Sequence, residues 1–203
     1  MAVDFKAALE SKQGEYKMLV TDHQRLRHKH QVLERVLHLY GAPAEFDAVF
    51  EGLMDAGMAS VDAESGALYI LDGDKNELYF AAARGPKARE VLALDITIKP
   101  GQGMAGACFA NNEVIVVSDA HKDPRFFKEV SSSVGYEVRS LLTAPIVFEG
   151  EVFGVLQVIN KRGSNEFDMD EVETFKRLGR HAGSIIGLGL ELQELRKAAG
   201  RVA

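Results

Sequence analysis

The feature that most limits the fold is a pair of apolar segments lying close together in the second half of the chain. Residues 141–148 and 152–159 consist mainly of Leu, Val, Ile, Phe and Ala, and Glu149-Gly150-Glu151 separates them. Two such segments joined by a short turn that contains Gly predict a β-hairpin. Because both segments are apolar on both faces, we expect the hairpin at the centre of a sheet that is covered on both sides.

Further segments complete a mixed α and β pattern. Strands are predicted over residues 68–71, 77–83, 92–98 and 114–117, and helices over 44–61, 104–110 and 168–196. We therefore expect an α+β fold with a central, mostly antiparallel sheet and the terminal helices on one of its faces. Residues 119–138 form a long connection between two strands, and connections of this length often cover a site.

The N-terminal segment has the pattern of a long helix. Residues 4–40 contain no proline and a single glycine, Gly14. Apolar and histidine side chains recur at alternating steps of three and four: Tyr16, Leu19, His23, Leu26, His30, Leu33, Leu37 and Tyr40. This spacing predicts a coiled-coil seam, and an amphipathic helix packed on its own domain is the alternative. We assign residues 1–41 to a signalling and dimerisation helix, 42–184 to the folded domain and 185–203 to an extension of the last helix.

The last predicted helix carries glycines at every fourth position. Gly179, Gly183 and Gly187 lie on one helix face, and each costs about 1 kcal/mol of helix propensity relative to Ala. Such a row is tolerated where another element packs against the bare backbone. We expect close helix–helix contact there, with local flexibility as the alternative.

Composition excludes several classes of function. The net charge is −6 and no dense basic run is present, which argues against a nucleic-acid interface. The first residues lack the apolar core that is typical of a signal peptide, and no stretch reaches the roughly 18 apolar residues of a membrane span. A single cysteine, Cys108, excludes an internal disulfide and a cysteine-cluster zinc site. We therefore expect a soluble cytoplasmic protein without a metal or cofactor that binds neither nucleic acid nor membranes.

An ordered series of short motifs extends from Val117 to Lys161. It comprises Asp-Pro-Arg-Phe at 123–126, Gly135-Tyr136, Arg-Ser-Leu-Leu-Thr-Ala-Pro at 139–145, and Asn160-Lys161. In this order and spacing the series resembles the GAF domain. It is most similar to the GAF domains of cyclic-nucleotide phosphodiesterases and adenylyl cyclases, over about residues 44–190.

The resemblance implies a ligand beneath residues 119–138, on the sheet face opposite the terminal helices. In cyclic-nucleotide members, the residues that match Met104 and Ala105 give main-chain N–H groups to the phosphate, as helix N-termini do for anions in general. The ligand-binding residues that the resemblance implies are Gly103, Met104, Ala105, Ser118, Phe126, Phe127, Ser131, Val134, Tyr136, Val138 and Gln157.

The chain departs from the cyclic-nucleotide pattern at polar positions. Ser131 stands where those members have an acidic residue, and Val134 and Val138 stand where they have Thr. Their base-facing Phe-Asp pair aligns near Arg84-Gly85 and is absent. Each lost hydrogen bond to a buried polar ligand costs about 1–3 kcal/mol. We therefore expect a ligand that is more apolar than cyclic AMP or cyclic GMP.

A family signature near the start of the last helix implies a structural ion pair. Asn160-Lys161 is followed by Phe167 and by Asp170-Glu171, with one residue fewer after Phe167 than the family has. From this signature we predict a Lys161–Asp170 pair that ties a strand end to the last helix.

No residue constellation supports catalysis. We expect Cys108 to be a packing residue, and the GAF proteins that reduce free methionine sulfoxide need at least two cysteines. The sequence therefore predicts a non-enzymatic sensory or regulatory module. We expect it to form a homodimer through its terminal helices, bind a small molecule of unknown identity and signal through a downstream protein. The alternatives are a cyclic-nucleotide-binding domain and a structural dimerisation module whose pocket is filled by its own side chains, namely Phe126, Phe127, Val134 and Tyr136.

Overall fold

A computed structural model of the chain describes Lys12, residues 46–94 and residues 96–200. Apart from Lys12, the helix and coiled-coil seam predicted over residues 1–41 lie outside the described residues. One compact unit, Ala44–Gly187, contains the sheet, and Leu188 onward belongs to a second unit. Among the helices described, none has the length and apolar character needed to cross a membrane.

Between residues 46 and 200 the described residues form five α-helices and six strands. The helices are α1 (Phe46–Val61), α2 (Ala88–Leu92), α3 (Gly103–Asn111), α4 (Lys128–Ser133) and α5 (Met169–Gly200), with a 3₁₀ turn at Ala120–Lys122. The strands are β1 (Ala63–Asp72), β2 (Glu77–Arg84), β3 (Thr97–Ile98), β4 (Ile115–Val117), β5 (Leu141–Phe148) and β6 (Glu151–Lys161).

The described strands form one antiparallel sheet in the order β3-β2-β1-β6-β5-β4. The predicted hairpin is present as β5 and β6, and its register pairs Leu142 with Val158 and Thr143 with Gln157. Strand β6 lies at the centre of the sheet between β1 and β5. The α+β fold expected from the sequence is therefore confirmed.

Alternation along the central strands produces two separate apolar cores. On one face Leu68, Leu156 and Val158 pack with Phe175 of α5 and with side chains of α1. On the other face Tyr69, Leu141 and Val155 pack with side chains of α3 and of the segment that precedes β5. Successive strand residues point to opposite faces, so a single strand contributes to both cores. The helices α1 and α5 occupy the first face and leave the second to α3 and to residues 118–140.

The glycine row of α5 packs against a strand, which corrects the helix–helix contact expected from the sequence. A Cβ atom added at Gly179 would lie 2.6 Å from the carbonyl oxygen of Pro145. At Gly183 it would collide with the backbone of Val147, and at Gly187 with the ring of Phe148. The three glycines therefore let the α5 backbone lie directly on β5.

The segment that was predicted as a strand over residues 92–98 is mostly not one. The helix α2 ends at Leu92, and only Thr97 and Ile98 pair with β2. Backbone hydrogen bonds from Val91 N to Lys87 O (3.0 Å) and from Ala93 N to Arg89 O (3.1 Å) extend helical bonding into the start of the segment that was predicted as a strand. Local helical hydrogen bonds thus prevail over the β pattern, because a lone edge segment has only one strand to pair with.

Candidate functional site

A cavity of about 100 Å³ lies between the second face of the sheet and the segment at 118–140. This segment, the cover, contains the 3₁₀ turn and α4, and a backbone bond from Ala120 N to Arg139 O (2.8 Å) joins its two ends. Every ligand-binding residue proposed from the sequence except Ser118 lines the cavity. These residues are Gly103, Met104 and Ala105 at the start of α3, Phe126, Phe127, Ser131, Val134, Tyr136 and Val138 in the cover, and Gln157 on β6.

Ser118 does not belong to the cavity wall. It follows β4, and its side chain is exposed, whereas Val117 beside it is buried. The strand ends at Val117, and the next residue turns outward before the 3₁₀ turn begins. Ser118 therefore lies outside the cavity that the other predicted residues line.

One side and much of the floor of the cavity were not predicted from the sequence. The floor includes Ser65, Ala67 and Tyr69, which are alternate residues of β1, and α2 forms the side. Alternation along β1 was a signal for these floor residues, because the face shared with Gln157 of the paired strand β6 follows from the antiparallel register. The wall formed by α2 had no such signal, because the residues of α2 that precede Leu92 were assigned neither to a helix nor to a strand.

The polar side chains on the floor are bonded to one another. The Tyr69 hydroxyl donates to Gln157 Oε1 (3.3 Å), and Gln157 Nε2 donates to Thr143 Oγ1 (2.9 Å). All three side chains are buried. Burial raises the pKa of Tyr69, so the hydroxyl keeps its proton. The floor is therefore a neutral network whose hydrogen bonds are largely used within the protein.

The side chains of the cover offer the cavity few polar groups that are not already hydrogen-bonded within the protein. The Ser131 hydroxyl donates to the Lys128 carbonyl oxygen (3.0 Å), a bond within its own helical turn. Val134 and Val138 face the cavity at the positions where the resemblance had implied hydroxyl groups. The face that the cover turns toward the cavity is consequently dominated by valine and aromatic rings.

Two cationic side chains reach the rim of the cavity, and both are paired with carboxylates. Arg84 bonds Glu51 (2.8 Å) and Asp55 (3.1 Å) of α1, and Lys87 bonds Glu90 (3.1 Å) of α2. The hydrogen bond from Arg84 to Glu51 is the main reason that the pKa of Arg84 is raised. The two positive charges at the rim are therefore already neutralised by carboxylates that lie outside the cavity.

The start of α3 supplies the remaining polar groups of the wall. The first bond of this helical turn runs from Gly106 N to Gln102 O (3.0 Å), so the three preceding N–H groups have no acceptor within the helix. Gly103 has φ +65°, and a Cβ atom there would lie 3.0 Å from that of Phe127. Glycine thus allows the cover to rest on the helix start, beside N–H groups that suit a hydrogen-bond acceptor.

A cluster of polar side chains fastens the end of the cover to the sheet. We call Glu64, Ser65, Tyr136, Arg139 and Asn160 the Asn160 cluster. The Tyr136 hydroxyl bonds Ser65 Oγ (2.7 Å) and accepts from Asn160 Nδ2 (3.2 Å). Asn160 Nδ2 also donates to the Glu137 carbonyl oxygen (2.8 Å), and Asn160 Oδ1 accepts from Arg139 N (2.7 Å). Asn160 is fully buried and has φ +59°, a region that Asn enters more readily than most residues.

Glu64 is the charged member of this cluster. Arg139 Nη2 donates to Glu64 Oε1 (2.7 Å), and Asn160 Nδ2 donates to Glu64 Oε2 (3.2 Å). Burial acts to raise the pKa of Glu64, but the hydrogen bonds from Arg139 and Asn160 outweigh it and lower the pKa below its usual range. Glu64 is therefore an anion held in place by the cover.

The residue after Asn160 contacts a different element. Lys161 Nζ donates to Glu171 Oε2 (2.7 Å) and to the Glu166 carbonyl oxygen (3.0 Å). The predicted partner, Asp170, is exposed instead. Glu171 N donates to Asp168 Oδ1 and Asp168 N to Glu171 Oε2, both at 2.8 Å, which is a capping box at the start of α5. This box turns the Glu171 carboxylate back toward Lys161, so the ion pair predicted with Asp170 was wrong in its acidic partner.

The described residues hold no group of three or more His, Cys, Asp or Glu side chains arranged for a metal ion. Cys108 is buried in α3, and burial raises the pKa of its thiol to about 12. A thiol with that pKa is a weak nucleophile near neutral pH. The arrangement is suited to enclosing a small, mainly apolar molecule.

Comparisons with known proteins agree with this geometry. The family model of the GAF domain matches residues 45–186. The cGMP-specific 3′,5′-cyclic phosphodiesterases of Drosophila mojavensis and Drosophila melanogaster are 33% and 32% identical to the chain over 136 residues. That match covers 62% of this chain and only 12% of each phosphodiesterase.

Solved structures resemble the chain in fold. The GAF domain from a phosphoenolpyruvate-protein phosphotransferase of Coxiella burnetii has a TM-score of 0.63 at 19% identity, over 86% of this chain and 98% of that one. A free methionine-R-sulfoxide reductase from Neisseria meningitidis has a TM-score of 0.61 at 17% identity, over 83% and 93% of the two chains. At these identities the likeness concerns the arrangement of helices and strands alone.

Proposed function

Because this chain belongs to the GAF domain family, we propose that it is a sensory or regulatory module that binds a small molecule and catalyses no reaction. The observation that carries the proposal is the cavity between the sheet and the cover. Its wall is mainly apolar, with a few polar groups at fixed places, as is usual for small-molecule sites. The buried, weakly acidic thiol of Cys108 and the internally bonded floor support a binding role.

The proposed ligand is more apolar than a cyclic nucleotide. Val134 and Val138 offer no hydrogen bond, Ser131 uses its hydroxyl within α4, and Arg84 and Lys87 are paired outside the cavity. The cavity of about 100 Å³ is small beside the roughly 300–1,000 Å³ of most ligand pockets. An apolar cavity of ~150 Å³ holds benzene, so a ligand of about one ring requires the cover to move outward slightly.

Cyclic-nucleotide binding is the second candidate. It is supported by the similarity to phosphodiesterases that are named for cGMP, and by the N–H groups at the start of α3. The match spans a small part of those enzymes, and their activity is not carried over to this chain. The polar contacts that a purine and a phosphate need are largely missing, so we propose that cyclic nucleotides bind weakly.

The proposed assembly is a homodimer through the terminal helices, located in the cytoplasm, which passes its signal to a downstream protein. The heptad spacing from Tyr16 to Tyr40 supports it. A structural dimerisation module with a filled pocket is the remaining alternative, and Phe126, Phe127, Val134 and Tyr136 are the side chains that would fill the pocket.

Calorimetric titration with cyclic AMP and cyclic GMP tests the ligand class. We expect dissociation constants weaker than ~10 μM for the natural chain, because tighter binding requires more than about 6 kcal/mol. Replacing both Val134→Thr and Val138→Thr restores two hydroxyl groups to the wall and should tighten binding by about tenfold, at roughly 0.7 kcal/mol for each hydrogen bond.

The matched control is Val116→Thr, which places the same hydroxyl on an exposed position of β4 outside the cavity. This variant should bind the nucleotides as the natural chain does. A dissociation constant below ~10 μM for the natural chain would contradict the proposed ligand class and support the cyclic-nucleotide candidate.

A further inference from the structure

The Tyr136 side chain is part of both the cavity wall and the Asn160 cluster. Its ring lines the cavity, and its hydroxyl bonds Ser65 and Asn160 of the Asn160 cluster. A ligand that fills the cavity therefore packs against a side chain whose polar end holds the cover down. The position of Tyr136 is thus sensitive to what occupies the cavity.

Asn160 cannot keep its present bonds if the end of the cover lifts. Its amide group accepts from Arg139 N (2.7 Å) and Ser140 N (3.4 Å) and donates to the Glu137 carbonyl oxygen (2.8 Å). All of these partners lie at the end of the cover or at the residue that joins it to β5. Because the side chain is fully buried, losing them would leave unpaired polar atoms away from water. Movement of the cover therefore forces movement of Asn160.

Lys161 follows Asn160 in the strand, so a movement of Asn160 also displaces Lys161. Its N–H donates to Ser140 Oγ (3.2 Å), and its ammonium group holds Glu171 in the capping box at the start of α5. The side chains of Lys161 and Glu171 are 16% and 18% exposed, so water does little to screen this pair. Adjacent residues of one strand end thus fasten the cover and the first turn of α5.

We propose that the Asn160 cluster is a latch that couples closure of the cover over the cavity to the order of the first turn of α5. The proposal rests on the proposed function, since the small molecule in the cavity is what would set the latch. Closed, the latch holds Asn160 and Lys161 in the arrangement that completes the capping box. Opened, it releases both, and the start of α5 loosens with the cover.

Amide hydrogen exchange on the full chain, followed by mass spectrometry, tests the coupling without any ligand. Tyr136→Phe keeps the ring and removes the hydroxyl. We expect exchange to become at least about three- to tenfold faster at residues 134–140, because the hydroxyl bonds Ser65 and Asn160 and one net hydrogen bond alone accounts for a factor of that size. The same increase should appear at 169–173, which Tyr136 does not touch, while α1 keeps its natural rate. The control Tyr79→Phe removes a hydroxyl that is outside the cluster, on β2, and should change neither segment.

Coupling between two sites is reciprocal, which gives a second and independent variant. Glu171→Gln weakens the bond with Lys161 at the other end of the path. It should therefore speed exchange at 134–140 as well as at 169–173, although Glu171 lies outside the cover. Changes confined to the segment that carries the substitution, in either variant, would overturn the proposal. So would an equal change in every element, because that result would indicate general destabilisation.

The outcome is separable from that of the proposed function. A chain that carries and binds no small molecule would contradict the proposed function, and the exchange experiment would still measure the latch. Conversely, a chain that binds a small molecule but shows no coupled exchange would overturn the latch and leave the binding role intact.

Discussion

At the scale of single residues, the choice between two adjacent acidic side chains shows what a sequence signature leaves open. The family signature brought Lys161 together with an acidic pair at 170–171, and Asp170 was predicted as its partner, whereas the structure pairs it with Glu171. The capping box decides, because Asp168 caps α5 and the third helical position, Glu171, reaches back to the Asp168 N–H (2.8 Å). Asp170 lies between them on the exposed side of the turn.

Substitutions at these two neighbours should therefore have unequal effects. We expect Glu171→Gln to lower the free energy of unfolding by about 1–2 kcal/mol, because it weakens a shielded ion pair and one arm of the capping box. Asp170→Asn, the matched control, should change it by less than about 0.5 kcal/mol, as exposed substitutions usually do. Urea unfolding of the two variants measures both values. Equal losses, or a larger loss for Asp170→Asn, would indicate that Lys161 pairs with Asp170, as predicted from the sequence.

At the scale of elements, the glycine row in α5 has a cause in packing. Each glycine weakens the isolated helix by about 1 kcal/mol, yet the row lets the helix backbone approach β5 to van der Waals distance. The sequence showed that something packs on this face. The partner was predicted as a helix, and it is a strand, because periodicity identifies the face of an element and not what covers it.

Two Gly→Ala substitutions within helices should change stability in opposite directions, because only one of the two glycines lies against a strand. Gly183→Ala would place a Cβ atom against the backbone of Val147, which cannot move without disturbing β5. We expect a loss of about 1–3 kcal/mol in the free energy of unfolding. Gly52→Ala in α1 has nothing within 4 Å of the added atom and should gain up to about 1 kcal/mol from helix propensity. Urea unfolding compares them, and a stabilising Gly183→Ala would contradict the close contact with β5.

The elements themselves were predictable to different degrees. The β5–β6 hairpin, α1, α3 and α5 follow from apolar runs, periodicity and turn residues, all of which are local. The helix α2 does not, because it has only five residues, too few to show a helical period, and an alternating strand pattern was assigned from its last residue, Leu92, onward. The cover was predictable as a long connection, but its attachment through Asn160 depends on residues distant in sequence, such as Glu64.

At the scale of the whole molecule, the resemblance predicted many of the residues that line the cavity but not the floor beneath them or the charges at the rim. The resemblance supplied the cavity residues from the cover, α3 and β6, and one residue outside the cavity, Ser118. It did not supply the floor on β1 or the pairing of Arg84 with Glu51 and Asp55, which determine how polar the cavity is. Those features arise from strand register and from α1 lying beside β2, and neither is encoded in a single motif.

The central claim is that the cavity is a binding site and not a packed interior, and native mass spectrometry of the freshly purified chain tests it most directly. We predict a species that is heavier than the bare protein by one discrete small-molecule increment for each protomer, in a dimer. Val134→Phe should remove the increment because the ring fills the cavity from the cover, whereas Val116→Phe on the exposed face of β4 should keep it. A spectrum that contains the bare protein alone, for the natural chain and both variants, would contradict the account and favour a structural module with a filled pocket.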